Sequence, residues 1–213
     1  CQNCTNHAMQ DSAEKDALPT ESHPLKPFLP KNARLLMCGT FPPKKEKWSM
    51  EFYYPNFIND MWRIFGLVYF GDKDRFVDQR HKTFRLDELR PFLEEKGIAL
   101  SDTGREVVRE KDNAADKHLS IKRHIDLADI LSELPECEAV ATTGEKAASV
   151  VAEITGTEIP KTGECAECSL TLKDGTIRSF RHWRMPSSSR AYPLKIDRKA
   201  EMYARMLQTI EVH

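Results

Sequence analysis

The sequence predicts an α/β fold, a three-layer αβα sandwich with a central, mostly parallel sheet. Three observations lead there. Short apolar runs of strand length recur at 34–39, 98–102 and 139–142. Each is followed by a polar or turn-forming segment, and helical periodicity returns between them. Uniformly apolar strands separated by helices belong to a parallel sheet covered on both faces.

The elements follow in order. Residues 1–22 are polar and aperiodic and read as an N-terminal tail, leaving 23–213 as one domain. In 23–30, Pro24, Pro27 and Pro30 bias their predecessors away from helix, which makes this an extended lead-in. After the first strand, a loop at 40–49 carries Pro42, Pro43 and the lysines Lys44, Lys45 and Lys47. Phe57, Ile58, Met61, Trp62, Phe65 and Val68 then recur at helical spacing. A second helix over 86–96 closes on Gly97. The charged stretch 105–123 reads as a solvated excursion with some helix. A helix over 126–134, a strand over 139–142 and a helix over 145–154 come next, with Thr143-Gly144 as the turn between the last two. Residues 169–173 and 176–183 alternate across Asp174-Gly175, a hairpin signal. An amphipathic helix over 194–210 ends the pattern.

Composition excludes several classes of function. The 213 residues are 40 % apolar and 31 % charged, ordinary for one globular domain. No apolar run approaches the ~20 residues of a membrane span, and 1–22 has no signal-peptide core, so a cytoplasmic location is expected. A net charge of −1 argues against coating nucleic acid but permits a local basic rim. Of six cysteines, Cys38 and Cys137 sit in or beside apolar segments and read as core residues. Cys1/Cys4 and Cys165/Cys168 form two C-x-x-C pairs, which are either reduced thiols or a tetrahedral zinc site closing a long loop.

In parallel sheets ligands bind beyond the carboxyl ends of the strands, so the residues after each strand are candidates. Gly39-Thr40-Phe41-Pro42-Pro43 permits close backbone approach and offers an aromatic to a planar group. In the segment 52–63, Asn59 stands near a helix start, four residues before Arg63. It either caps that helix or hydrogen-bonds a water or a base edge. Pro186-Ser187-Ser188-Ser189-Arg190 is a rigid, hydroxyl-rich turn suited to phosphate contacts, or else a solvated serine loop.

These segments together resemble the uracil-DNA glycosylase superfamily, whose members carry a Gly-x-Asn/Asp-Pro loop after the first core strand and a Pro-Ser-rich loop near the C-terminus. Residues 185–189, Met-Pro-Ser-Ser-Ser, are similar to the second loop of the mismatch-specific thymine/uracil branch. Residues 39–42 are similar to the first loop, with Phe41 where relatives place a water-activating Asn or Asp. The hypoxanthine-excising branch shares that departure. Its catalytic Asn comes from a Tyr-Tyr…Asn…Trp-Arg-Ile segment, matched here by Tyr53-Tyr54, Asn59 and 62–64. Asp102 stands where uracil-specific members read the base with an Asn.

The resemblance implies a DNA glycosylase of base excision repair, acting as a monomer on duplex DNA with a damaged or mispaired base, hypoxanthine or uracil, and needing no cofactor. The base would be extruded into a pocket of Gly39, Thr40, Phe41, Pro42, Tyr54, Asp102, Thr143 and Gly144. Asn59 would orient the attacking water, and residues 186–190 would grip the DNA, with Lys44, Lys45 and Lys47 completing the basic rim. The rival reading is a relative that binds nucleic acid without catalysis, which the replacement at Phe41 makes credible. Asp102 is either a base reader or a cap for the segment after it.

Overall fold

Strands at Leu35–Gly39 (β2), Ile98–Asp102 (β5) and Ala139–Thr143 (β8) are buried at every residue, as their unbroken apolar character requires. The computed structural model describes residues 18–111 and 118–210. Along the chain run β1 (Thr20–Ser22), β2, α1 (Met61–Phe70), β3 (Val77–Asp78), β4 (Thr83–Phe84), α2 (Leu86–Lys96), β5, β6 (Gly104–Arg109) and β7 (Leu119–His124). Then come α3 (Leu127–Ser132), β8, α4 (Glu145–Thr155), β9 (Cys165–Thr171), β10 (Ile177–Met185) and α5 (Ile196–Thr209).

The five-stranded sheet has the order β5-β2-β8-β10-β9, parallel except for the antiparallel β9 edge. Side chains alternate across it. Leu35, Met37, Leu100 and Ala141 pack with α1, α2 and α5 on one face, among Trp62, Phe65, Leu89 and Tyr203. Leu36, Cys38, Ala99 and Val140 pack with α3 and α4 on the other, among Leu131 and Val151. This is the expected αβα sandwich. The chain reaches β5 from β2 over the first face and β8 from β5 over the second. The carboxyl ends of β2, β5 and β8 therefore border the switch point where an α/β sheet opens a crevice.

Two expectations need correction. In place of the solvated excursion with some helix expected over 105–123, residues 105–109 and 119–123 are strand. They belong to the antiparallel pair β6–β7, which β1 extends to a three-stranded sheet. Val107, Leu119 and Ile121 share one face and Val108 lies on the other, diluted by enough charge to hide the strand period. β1 also lies within the segment expected to be a tail, with Thr20 opposite Val108 and Ser22 opposite Glu106. Next to it, Phe28 and Leu100 exchange backbone hydrogen bonds at 2.9 Å, so the proline-rich lead-in lies along the free edge of β5.

The helical spacing expected from Phe57 becomes helix only at Met61, and the helix expected over 126–134 spans Leu127–Ser132. Gly97 closes α2 with a left-handed φ of 72°, and Asp126 caps α3 by accepting from the Asp129 N–H at 3.0 Å. No helix among the described residues is long and apolar enough to cross a membrane.

Candidate functional site

At the carboxyl ends of β2, β5 and β8 lies a cavity of about 270 Å³. It collects Gly39, Thr40, Phe41, Pro42, Tyr54, Asn59, Asp102, Thr143, Ser187, Ser188, Ser189 and Arg190. Separations of up to 151 positions, from Gly39 to Arg190, close here because the strands end at one level. Two candidates fall elsewhere. Gly144 and Pro186 line a neighbouring cavity and only Ser187 is shared between them. The Gly144 N–H donates to the Met185 carbonyl, and the Pro186 carbonyl accepts from the Tyr203 hydroxyl at 3.0 Å.

The floor is polar and crowded. Gly39 and Asp102 are register partners in adjacent strands. A Cβ at Gly39 would sit 2.8 Å from Asp102 Oδ1, 3.2 Å from Tyr54 Oη and 3.4 Å from Thr143 Oγ1. Only glycine leaves that space open. Tyr54 Oη and Thr143 Oγ1 are hydrogen-bonded at 3.0 Å. Burial, then the Asp102 charge, hold the Tyr54 phenol well above its ordinary range, so it stays protonated. Tyr54 also adopts φ of 51°, a left-handed conformation that costs a non-glycine residue about 1–3 kcal/mol. In this conformation its ring lies edge-on against Trp62 at 5.8 Å.

Asp102 does not cap the segment after it. Its Oδ2 accepts from His23 Nε2 at 2.6 Å, with both side chains buried. His23 was not among the sequence candidates, because a lone histidine before Pro24 carries no motif. Phe41 stands over this pair, its ring edge-on to His23 at 5.1 Å and capped by the Arg109 guanidinium at 5.9 Å.

Asn59 is not the N-cap of α1, which is Asp60, but it accepts a hydrogen bond at the helix start and borders the cavity. Its Oδ1 accepts from the Met61 N–H at 2.9 Å, and its carbonyl accepts from Arg63 at 3.0 Å. The next residue ties this segment to the serine loop. The Asp60 N–H donates to the Ser188 carbonyl, and the Asp60 carboxylate meets Lys199 Nζ at 3.1 Å and Arg190 at 3.5 Å. Lys199 is fully buried and also donates to the Ser189 carbonyl. Its place in the apolar stripe of α5, beside Ala200 and Tyr203, was the sequence signal that could have found it.

Lys45 pairs with Glu51 at 2.7 Å and lies over Trp48, while Lys47 borders the cavity. The zinc expectation fails on geometry for one pair. Cys165 and Cys168 are three residues apart in β9, on opposite faces, exposed and buried respectively, so they cannot converge on one ion. Cys1 and Cys4 lie outside the described residues. Among the described residues no cluster of three or more His, Cys, Asp or Glu could hold a metal.

The fold and the site define a three-layer α/β protein with a small, acid-floored cavity at its sheet's switch point. Its fold is similar to the solution NMR structure of a candidate uracil DNA glycosylase from Methanosarcina acetivorans. The TM-score is 0.58 at 18 % identity, over 91 % of this chain and 99 % of that one. No protein-family profile and no characterised sequence matches the chain.

Proposed function

We propose that the protein is a DNA base glycosylase that hydrolyses the N-glycosidic bond of a deaminated or mispaired base flipped from duplex DNA. One observation carries this reading. The four segments that resemble glycosylase loops, far apart in sequence, meet around a single cavity. At about 270 Å³ it lies just below the usual range of small-molecule pockets and suits one planar heterocycle better than a whole nucleotide. The fold shared with the Methanosarcina structure supports the same reading.

The chemistry follows from the geometry. Phe41, held by His23 and Arg109, offers a face to the base. The Asn59 side chain, held through its Oδ1 by the Met61 N–H, leaves its amide NH2 to orient a water toward C1′. Ser187, Ser189 and the half-exposed Arg190 grip phosphates, while the sugar and phosphate stay outside the cavity. Asp60, Lys199 and Arg190 together carry one net positive charge, so Arg190 can turn to DNA without leaving Asp60 unpaired. A second reading, binding without cleavage, draws on Asn59 Oδ1 being engaged by the Met61 N–H.

Single-turnover assays on duplexes containing hypoxanthine, uracil, xanthine or a thymine–guanine mispair test this. Hypoxanthine excision is expected, with uracil as competing substrate, and lesion-duplex affinity should fall as salt rises. Binding without any abasic product would establish the second reading. Affinity flat in salt, with no product, would remove DNA as the substrate.

A further inference from the structure

The protonation of His23 is legible from its hydrogen bonds. The Leu25 N–H donates to Nδ1 at 3.1 Å, so that nitrogen presents a lone pair. The ring proton is therefore on Nε2, which donates to Asp102 Oδ2 at 2.6 Å. The ring has no room to turn. Its side chain is fully buried, the Tyr53 ring lies 5.9 Å away on one side, and Phe41 stands edge-on at 5.1 Å. The His23 backbone N–H is also tied to the Arg105 carbonyl at 2.8 Å.

This arrangement commits one carboxylate oxygen and frees the other. With Oδ2 taken by an N–H donor, Oδ1 remains over Gly39, at the floor of the cavity. A carboxylate receiving such a bond is an acceptor and has no proton to give. We infer that His23 is a positioning residue that locks Asp102 as an acceptor-only reader, so that the cavity selects a base edge carrying a ring N–H.

The inference rests on the cavity receiving a base, and it adds the rule for choosing one. Adenine and cytosine present a bare ring nitrogen beside their amino group, and its lone pair faces Oδ1 with repulsion. Deamination turns that amidine into a lactam, and the same ring nitrogen becomes an N–H donor. The locked carboxylate therefore reads the one atom whose hydrogen-bonding sense deamination reverses. His23 holds Oδ2 through the Nε2–H bond and so fixes Oδ1 as the oxygen turned to the cavity, without touching the base itself.

The full chain tests this in two ways. Nitrogen-15 NMR of the His23 ring should show the Nε2–H tautomer, and the Nε2 signal should shift in Asp102→Asn. An Nδ1–H tautomer would overturn the inference. Titration with 2′-deoxyinosine and 2′-deoxyadenosine should show a preference for deoxyinosine of about tenfold or more, the value of one well-placed base-edge contact. His23→Leu should abolish the preference, and His23→Gln, which keeps an N–H donor, should restore part of it. Equal binding of the two nucleosides, binding of neither, or an unchanged preference in folded His23→Leu would each overturn the inference. Because nucleoside binding needs no cleavage, a lost glycosylase activity with intact preference would count against the proposed reaction alone. Cleavage with no nucleoside preference would count against the His23 inference alone.

Discussion

The floor and the wall of the cavity are held by different forces. The floor consists of the ends of β2, β5 and β8, where Gly39 faces Asp102 and Thr143 faces Met185 in register. Each position there is set by a ladder of backbone hydrogen bonds, so no single side chain decides it. The wall, residues 187–190, has no strand partner. It hangs on the Asp60 N–H at Ser188, on Lys199 at the Ser189 carbonyl, and on the buried Asp60–Lys199 pair beneath them. The cavity thus has a stiff part and a releasable one, which is what the proposed function asks of a site that holds a base and grips a strand. The releasable part depends on a few charges.

Asn59 sits at the seam between the two and should show the largest effect. Asn59→Ala is expected to lower the single-turnover excision rate by ~10²–10⁴-fold, the usual loss for one positioned catalytic group. The same change removes the acceptor of the Met61 N–H and costs about 1 kcal/mol of stability. Asn59→Asp keeps that acceptor, so a stable but slow Asn59→Asp protein would separate the two roles. A near wild-type rate in Asn59→Ala would remove the residue from the mechanism.

Releasing the wall comes next. Lys199→Met strands the Asp60 carboxylate in a buried site, which typically costs about 3–5 kcal/mol, softened here because Arg190 still reaches it. Urea midpoints should fall accordingly, and Asp60→Asn in the same chain should recover much of the loss by removing the stranded charge. An unchanged midpoint in Lys199→Met would show that the ion pair does not hold the loop.

The floor has a weaker point of its own, on β10 beneath the strand ends. Burial, then the Arg184 charge, push the His182 imidazole down to about 4 from its usual 6.5. Its Nε2 meets Thr142 Oγ1 at 2.7 Å, and its buried Nδ1 has no hydrogen-bond partner among the described residues. Between those two values the unfolded chain takes up a proton that the folded one refuses. Stability should therefore fall as pH drops from 6.5 toward 4, by up to roughly 3 kcal/mol. Urea unfolding at several pH values checks this, and His182→Gln should flatten the slope. An equal slope in that variant would assign the acid sensitivity to other groups.

Much of this molecule was readable along the chain because the physics is local. Unbroken apolar runs marked β2, β5 and β8 to within a residue, and Gly97 marked the end of α2 by its conformation. The same local signals concealed β6 and β7, whose alternation is interrupted by Arg105, Glu106, Lys122 and Arg123. A strand of a small antiparallel sheet keeps one solvated face and loses little by carrying charge there. The residues following the buried strands pointed to the cavity, since a parallel sheet presents all its carboxyl ends on one edge.

The sequence alone determined the layers, the strand ends and the loops that meet the cavity, because periodicity, glycine conformation and capping act over a few residues. The tertiary structure decided the partners of the buried charges. Asp102 could have capped a turn, and only the lead-in segment folding along β5 brings His23 to it across 79 positions. Asp60 finds Lys199 across 139 positions. A carboxylate taken from water must have a partner, but its own sequence neighbourhood does not say which, since the partner is chosen by the packing of distant elements.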